Sequence, residues 1–247
     1  MLGFVPKFRD TRIPLKLYLN VEHVDEEFVD KRYGNQDGNL YKCLWPADLE
    51  YLGSNPDLYK IDMGGRRAYD LKTNTELDDY TDIAHFIDVL NNTPIADLPC
   101  ELEKVFNVQD YLKVVAMDVF TANWDGYIWD KNNFYLYHNS ETGLFEFLPY
   151  DLDNTFGIDW FSIDWGERDI YNWEHDNEGR PLYQRLMQVQ KYRDWYSWYF
   201  TQILDIMNPT GYFPRLDEIR DQIYPYIQTD TYYQMHYGYG IADFLNS

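Results

Sequence analysis

The stretch that most restricts the fold runs from residue 107 to 157: NVQDYLKVVAMDVFTANWDGYIWDKNNFYLYHNSETGLFEFLPYDLDNTFG. Its periodicity changes twice. Residues 108–122 carry apolar side chains at helical spacing, with Leu112, Val115, Met117, Val119 and Phe120 as the expected buried face and Asn107 as the N-cap. Residues 133–138 and 144–148 then read as two strands joined across NSETG, a Gly-containing loop suited to an antiparallel hairpin. A hairpin returns its two ends to one edge of a sheet. Asn133 at its start and Asp151 just past its end are therefore expected to approach each other, with Asp125 on the loop between the long helix and the hairpin.

That order of residue types has chemical meaning. Asp, Asn, strand, turn, strand, Asp is the order in which protein kinases present a base Asp, a metal-binding Asn and a metal-binding Asp. Asp125 is placed to accept the proton of an attacking hydroxyl, and Asn133 and Asp151 to reach one cation. DLDNT also fits the D-x-D-x-T of haloacid-dehalogenase-type phosphatases. That chemistry needs the first strand of a parallel sheet, a downstream Lys and a later acidic pair. Here only Lys191 follows, no Asp-Asp pair does, and βαβ alternation is absent. Taken alone, DLDNTFG is equally a tight turn with Asx hydrogen bonds, and Asp125-Gly126 is a common turn pair.

The remaining chain gives an α+β expectation with no dividing linker, and so one domain over residues 1–247. Residues 1–10 read as irregular, 13–19 and 40–45 as strands, 24–32 as a short charged helix, and 83–90 as a helix with Ala84, Phe86, Ile87 and Leu90 on one face. Residues 46–82, with Pro46, Gly53, Pro56, Gly64 and Gly65, read as an excursion with little regular structure. A Trp-rich loop to Gly179, one or two helices over 181–207 and another over 214–227 complete it.

Charge narrows the partners. Against 42 acidic residues stand 21 basic ones, a net charge of −21, and this field repels nucleic acid and anionic membrane surfaces. A polyanion such as ATP needs a local metal or basic pocket. No apolar run is long enough to cross a membrane, and MLGFVPKFRD lacks the pattern of a signal peptide. Cys43 and Cys100 are too few for a disulfide framework. His85, His138, His175 and His236 show no metal-ligand spacing, and His23 reads as a surface residue. Trp160, Trp165 and Trp173 read as a loop staple before a sugar platform.

NWDGY, NNFYLY and LFEFLPYDLDNTFG together resemble the spore-coat CotH kinase family, most strongly over residues 107–159. YLNVEHVDEEFVDKRYGNQDGNLYKC is similar to the family's E-x-(I/V)-D…F…G-x-L-Y-K segment. The resemblance implies an atypical protein-kinase-like fold with a reduced N-lobe and a helical C-lobe. It also implies phosphoryl transfer from ATP, with Mg2+ or Mn2+, to protein Ser or Thr hydroxyls. Within it Asp125 is the catalytic Asp, Asn133 and Asp151 the metal residues with Asp153 beside them, and Glu22 and Lys42 the small-lobe pair that contacts or orders nucleotide. Asn133 follows Asp125 by eight residues, with YIWDK as an insertion. Beside these roles, Lys42 also reads as an ordinary surface lysine and Glu22 as one acid of a solvated helix face. A Ser/Thr-rich protein substrate and spore-coat or cell-surface association are implied by the family alone. Since no Gly-rich phosphate loop precedes Lys42, the N-terminal part is expected to be shortened, and a pseudokinase or a divalent-cation-, sugar- or partner-binding module is the alternative.

Overall fold

The computed structural model describes residues 20–230 and 240–246. The strand expected over residues 13–19, the irregular start and most of the aromatic tail with His236 lie outside the described residues. By contacts the chain divides into a main unit, Val24–Ile203, and a terminal unit of Met1–His23 and Leu204–Ser247.

In the main unit, α1 (Glu26–Tyr33) begins where the Asp25 carboxylate accepts from the Phe28 N–H at 3.1 Å, and ends at Gly34, whose φ of 77° suits a left-handed cap. The sheet is four-stranded and wholly antiparallel, in the order β2 (Tyr69–Leu71), β1 (Leu40–Cys43), β3 (Phe134–Asn139), β4 (Leu144–Pro149). Both faces are covered, which explains why β3 is buried almost continuously instead of alternating with solvent. On one face Leu40, Tyr135, Tyr137 and Leu148 pack with Val29 of α1. Aromatic side chains fill the other. Phe86 of α2 (Thr81–Asn92) stacks on Phe145 at 5.1 Å, and Tyr111 of α4 (Val108–Phe120) meets Phe147 edge-on at 5.0 Å. Between them lies the short α3 (Leu98–Leu102). Cys43 is fully buried in β1, Cys100 is exposed on α3, and both are free.

Residues 46–82 hold little regular structure, as expected, beyond β2 and a capped 3-10 turn over Pro56–Tyr59. A three-residue strand is too short to show a period of two; its pairing with β1 defines it. Met117 lies 40% exposed, while Tyr111 and Ala116 join Leu112, Val115 and Val119 in the core, as the 100° step around a helix requires. Within YIWDK, Tyr127–Asp130 forms a one-turn helix, α5.

After a loop holding a short 3-10 turn at Trp165–Glu167 come α6 (Pro181–Met187) and α7 (Gln190–Ile206), two helices where one or two were expected. Trp165 and Trp173 are buried, and Trp165 meets Trp129 of α5 edge-on at 4.7 Å, so these two do staple the loop; Trp160 is 68% exposed. In the terminal unit α8 (Pro209–Ile227) starts five residues earlier than expected. Asn208 caps it by accepting from the Gly211 N–H at 2.9 Å. Tyr224 of α8 stacks on Phe244 of α9 (Ile241–Asn246). Among the described residues no helix is long and apolar enough to cross a membrane.

Candidate active site

Helix α4 ends at Thr121, and Ala122 turns the chain with a left-handed φ of 57°. Trp124 then fixes the next loop. Its indole N–H donates to the Ile158 carbonyl at 2.7 Å, and its ring meets Trp160 and Phe161 edge-on at 5.1 and 5.0 Å. The Phe156 N–H donates to the Thr121 carbonyl at 2.7 Å. Asp125 is therefore held between the end of α4 and the turn that follows β4. Gly126 comes next for want of space: a Cβ there would stand 3.1 Å from the Asn123 amide nitrogen.

Three carboxamides converge on Asp125. Asn132 donates to Oδ1 at 3.1 Å; Asn133 and Asn154 donate to Oδ2 at 2.9 and 3.0 Å. Asn132 is aimed in turn by accepting the Trp45 N–H at 2.8 Å. A carboxylate has about four lone-pair positions, so three donors leave room for one more, such as a hydroxyl.

The hairpin brings Asn133 beside the second strand as expected, and the Tyr150 N–H donates to the Asn133 carbonyl at 3.1 Å. Asn133 and Asp151 both adopt a left-handed φ of 54°. Asn and Asp are the non-glycine residues that enter that region most readily, so both residues suit their places. Asp151 and Asp153 are exposed. Partial loss of hydration first, then the like charges of Asp153 and Asp125, push the Asp151 carboxyl above its usual range, while Lys42 opposes that rise. Lys42 stands opposite Tyr135 on β3, and its ammonium lies 4.2 Å from the centre of the Tyr150 ring. Glu22 is an exposed residue of the terminal unit.

The supporting residues carry little signal in the sequence. Asp118 sits on the buried face of α4 and accepts from the Asn123 amide at 3.1 Å; burial raises its carboxyl to about 7. An acid among the core positions of an otherwise apolar helix is the one sign of it. Asp130 is raised to about 6, by burial and then by Asp125. Arg180, 1% exposed, satisfies the carbonyls at the end of α5, donating through Nε to Tyr127 at 3.1 Å and through Nη2 to Trp129, and pairs with Glu178, which Lys131 also meets at 2.7 Å. Asn154 lies in plain view within DLDNTFG, where a carboxamide reads as a turn residue.

The donors suit a hard cation. Two carboxylates on one turn and a neighbouring carboxamide are oxygen ligands of the kind magnesium takes, alongside water and substrate phosphates. Among the described residues no group of three or more His, Cys, Asp or Glu side chains is placed to hold a metal. Because DLDNT follows an antiparallel hairpin instead of opening a parallel sheet, the phosphatase reading falls.

A family model described as CotH kinase protein matches residues 17–244. The inner spore coat protein H of Bacillus subtilis is 29% identical over 217 residues, covering 87% of this chain and 57% of that protein. Two proteins of Rhizopus delemar also match. Invasin CotH2 is 35% identical over 72 residues, covering 29% of this chain and 11% of the invasin. Invasin CotH3 is 27% identical over 122 residues, covering 49% and 20%. The chain thus spans little more than half the length of the Bacillus relative, and less of the other two.

Proposed function

This chain belongs to the CotH kinase protein family, and from that premise we propose that it transfers the γ-phosphoryl group of ATP to Ser or Thr hydroxyls of a protein. The fold that goes with this reading is an atypical kinase-like one with a reduced N-lobe and a helical C-lobe. The observation that carries it is the Asp125 carboxylate, held by three carboxamides with one acceptor position left over.

Asp125 orients the acceptor hydroxyl and takes its proton as the oxygen attacks phosphorus. Asn133, Asp151 and Asp153 would hold magnesium or manganese, whose chemistry is to neutralise charge on the phosphates during transfer. Lys42 is assigned the contact with a nucleotide phosphate; its opposing effect on the Asp151 carboxyl supports that reading. The family resemblance adds Glu22 as a residue that orders nucleotide. The match to a spore coat protein supports association with a spore coat.

Two substitutions separate the roles. Asp125→Ala keeps magnesium-dependent ATP binding and loses phosphate incorporation into a Ser-rich protein by about 10²–10⁴-fold. Asp151→Ala loses both. The checks are nucleotide affinity with magnesium and radiolabel transfer, made on this chain and on any longer form of the protein. If neither form binds ATP, the kinase reading fails and a non-catalytic, divalent-cation- or partner-binding role replaces it.

A further inference from the structure

Of the three amides on Asp125, two come from its own side of the site. Asn132 and Asn133 follow α5 directly, seven and eight residues after Asp125. The third comes from the other end of the hairpin. Asn154 belongs to the turn that carries Asp151 and Asp153, and it differs from its neighbours there. Asp151, Leu152 and Asp153 are exposed, whereas Asn154 is 8% exposed with its amide turned inward onto Asp125 Oδ2. The turn is pinned on the far side of Asn154 as well. Phe156, at a left-handed φ of 54°, donates its N–H to the end of α4, and Ile158 accepts from Trp124. A shift of Asp151 or Asp153 therefore has a short, packed route to Asp125, and that route is the Asn154 side chain.

We propose that Asn154 is a positioning residue for Asp125: it holds Oδ2 from the cation-binding turn, so that loading of that turn sets the pose of the base. The proposal rests on the phosphotransfer reading above for its kinetic consequence, but not for the contact itself. Asn154 touches neither nucleotide nor acceptor in this scheme and acts only through Asp125. Without its amide, Asp125 keeps two donors and gains freedom to swing toward the cleared side. Misplacement of a catalytic group by about 1 Å costs roughly 10²-fold in rate without requiring any loss of substrate affinity.

The test uses the full chain with nitrogen-15 labelling and needs no activity for its first arm. The side-chain amide signal of Asn154 is identified as the one missing in Asn154→Asp. It moves on Asp125→Ala, and it moves in step with the backbone amides of Asp151 and Asp153 when magnesium is added with ATP. An Asn154 signal indifferent to Asp125→Ala overturns the contact. A signal that stays fixed while the 151 and 153 amides move overturns the coupling. If none of these signals responds to magnesium and ATP, the kinase reading fails and the coupling fails with it, while the Asp125→Ala comparison still decides the contact. In the second arm Asn154→Ala lowers kcat by about tenfold to a hundredfold with KM for ATP within about twofold of the parent. Asn154→Leu, which preserves shape but cannot donate, shows the same loss. Recovery of kcat in Asn154→Leu, or a loss confined to KM, would mean that Asn154 merely fills space and would overturn the proposal.

Discussion

At the scale of single residues, Asp118 carries a measurable cost. Its carboxyl titrates at about 7 in the folded protein against an ordinary value of 3.8, because α4 buries it and the hydrogen bond from Asn123 offsets only part of that burial. Below 3.8 folded and unfolded chains are both protonated there. As pH rises toward 7 the unfolded chain gives up the proton and the folded one keeps it, so this residue's contribution to stability is lost progressively across that window. Asp118→Asn should remove that slope and exceed the parent in stability at pH 8 by a few kcal/mol, since each tenfold change in the acid's dissociation constant is worth about 1.4 kcal/mol. Urea unfolding of both proteins from pH 4 to 8 checks it; parallel curves would refute it. The same scale sets what was readable in advance. That Asn133 and the turn after the hairpin approach Asp125 was legible, because a hairpin returns its two ends to one place. Asn154, Asp118 and Arg180 were not, because a buried hydrogen bond leaves no period in the sequence and depends on chain segments that only the fold brings together.

At the scale of elements, caps and pairings decided what could be foreseen. The start of α4 was legible because Asn107 is a good N-cap, and it does accept from the Asp110 N–H at 3.3 Å. The same side chain donates to Glu146 on β4 at 2.7 Å, tying the helix to the hairpin. Glu146 is buried, and Asn107 opposes the rise that burial imposes on its carboxyl. Asn107→Ala should therefore cost more than a cap alone, about 1–3 kcal/mol, and the deficit should widen from pH 4 to 7 as Glu146 ionises without that donor. Thermal unfolding at several pH values measures this, and a flat deficit would assign the loss to the cap only. By contrast β2 and α5 could not be foreseen. Three or four residues cannot display a period, and each is held by distant partners: β2 by β1, α5 by Arg180.

For the whole molecule, a net charge of −21 sets the terms on which a polyanion can approach. The three carboxamides are engaged by Asp125 and the turn itself is acidic, so nucleotide without a divalent cation should bind weakly. The α+β class was legible from the alternation of periods along the chain. The partition into Val24–Ile203 and a terminal unit was not, since no linker composition marks residue 203. One further consequence lies in the two cysteines. Cys100 is open to solvent, whereas Cys43 is sealed within β1, one residue from Lys42, and burial holds its thiol well above the usual range. The protein thus contains its own stopwatch. A thiol-reactive dye should label one sulfur at once and the other only at the pace at which β1 leaves the sheet. Added magnesium and ATP should slow that second phase alone if they clasp the strand bearing Lys42, and two sulfurs labelled at equal speed would show that β1 opens freely.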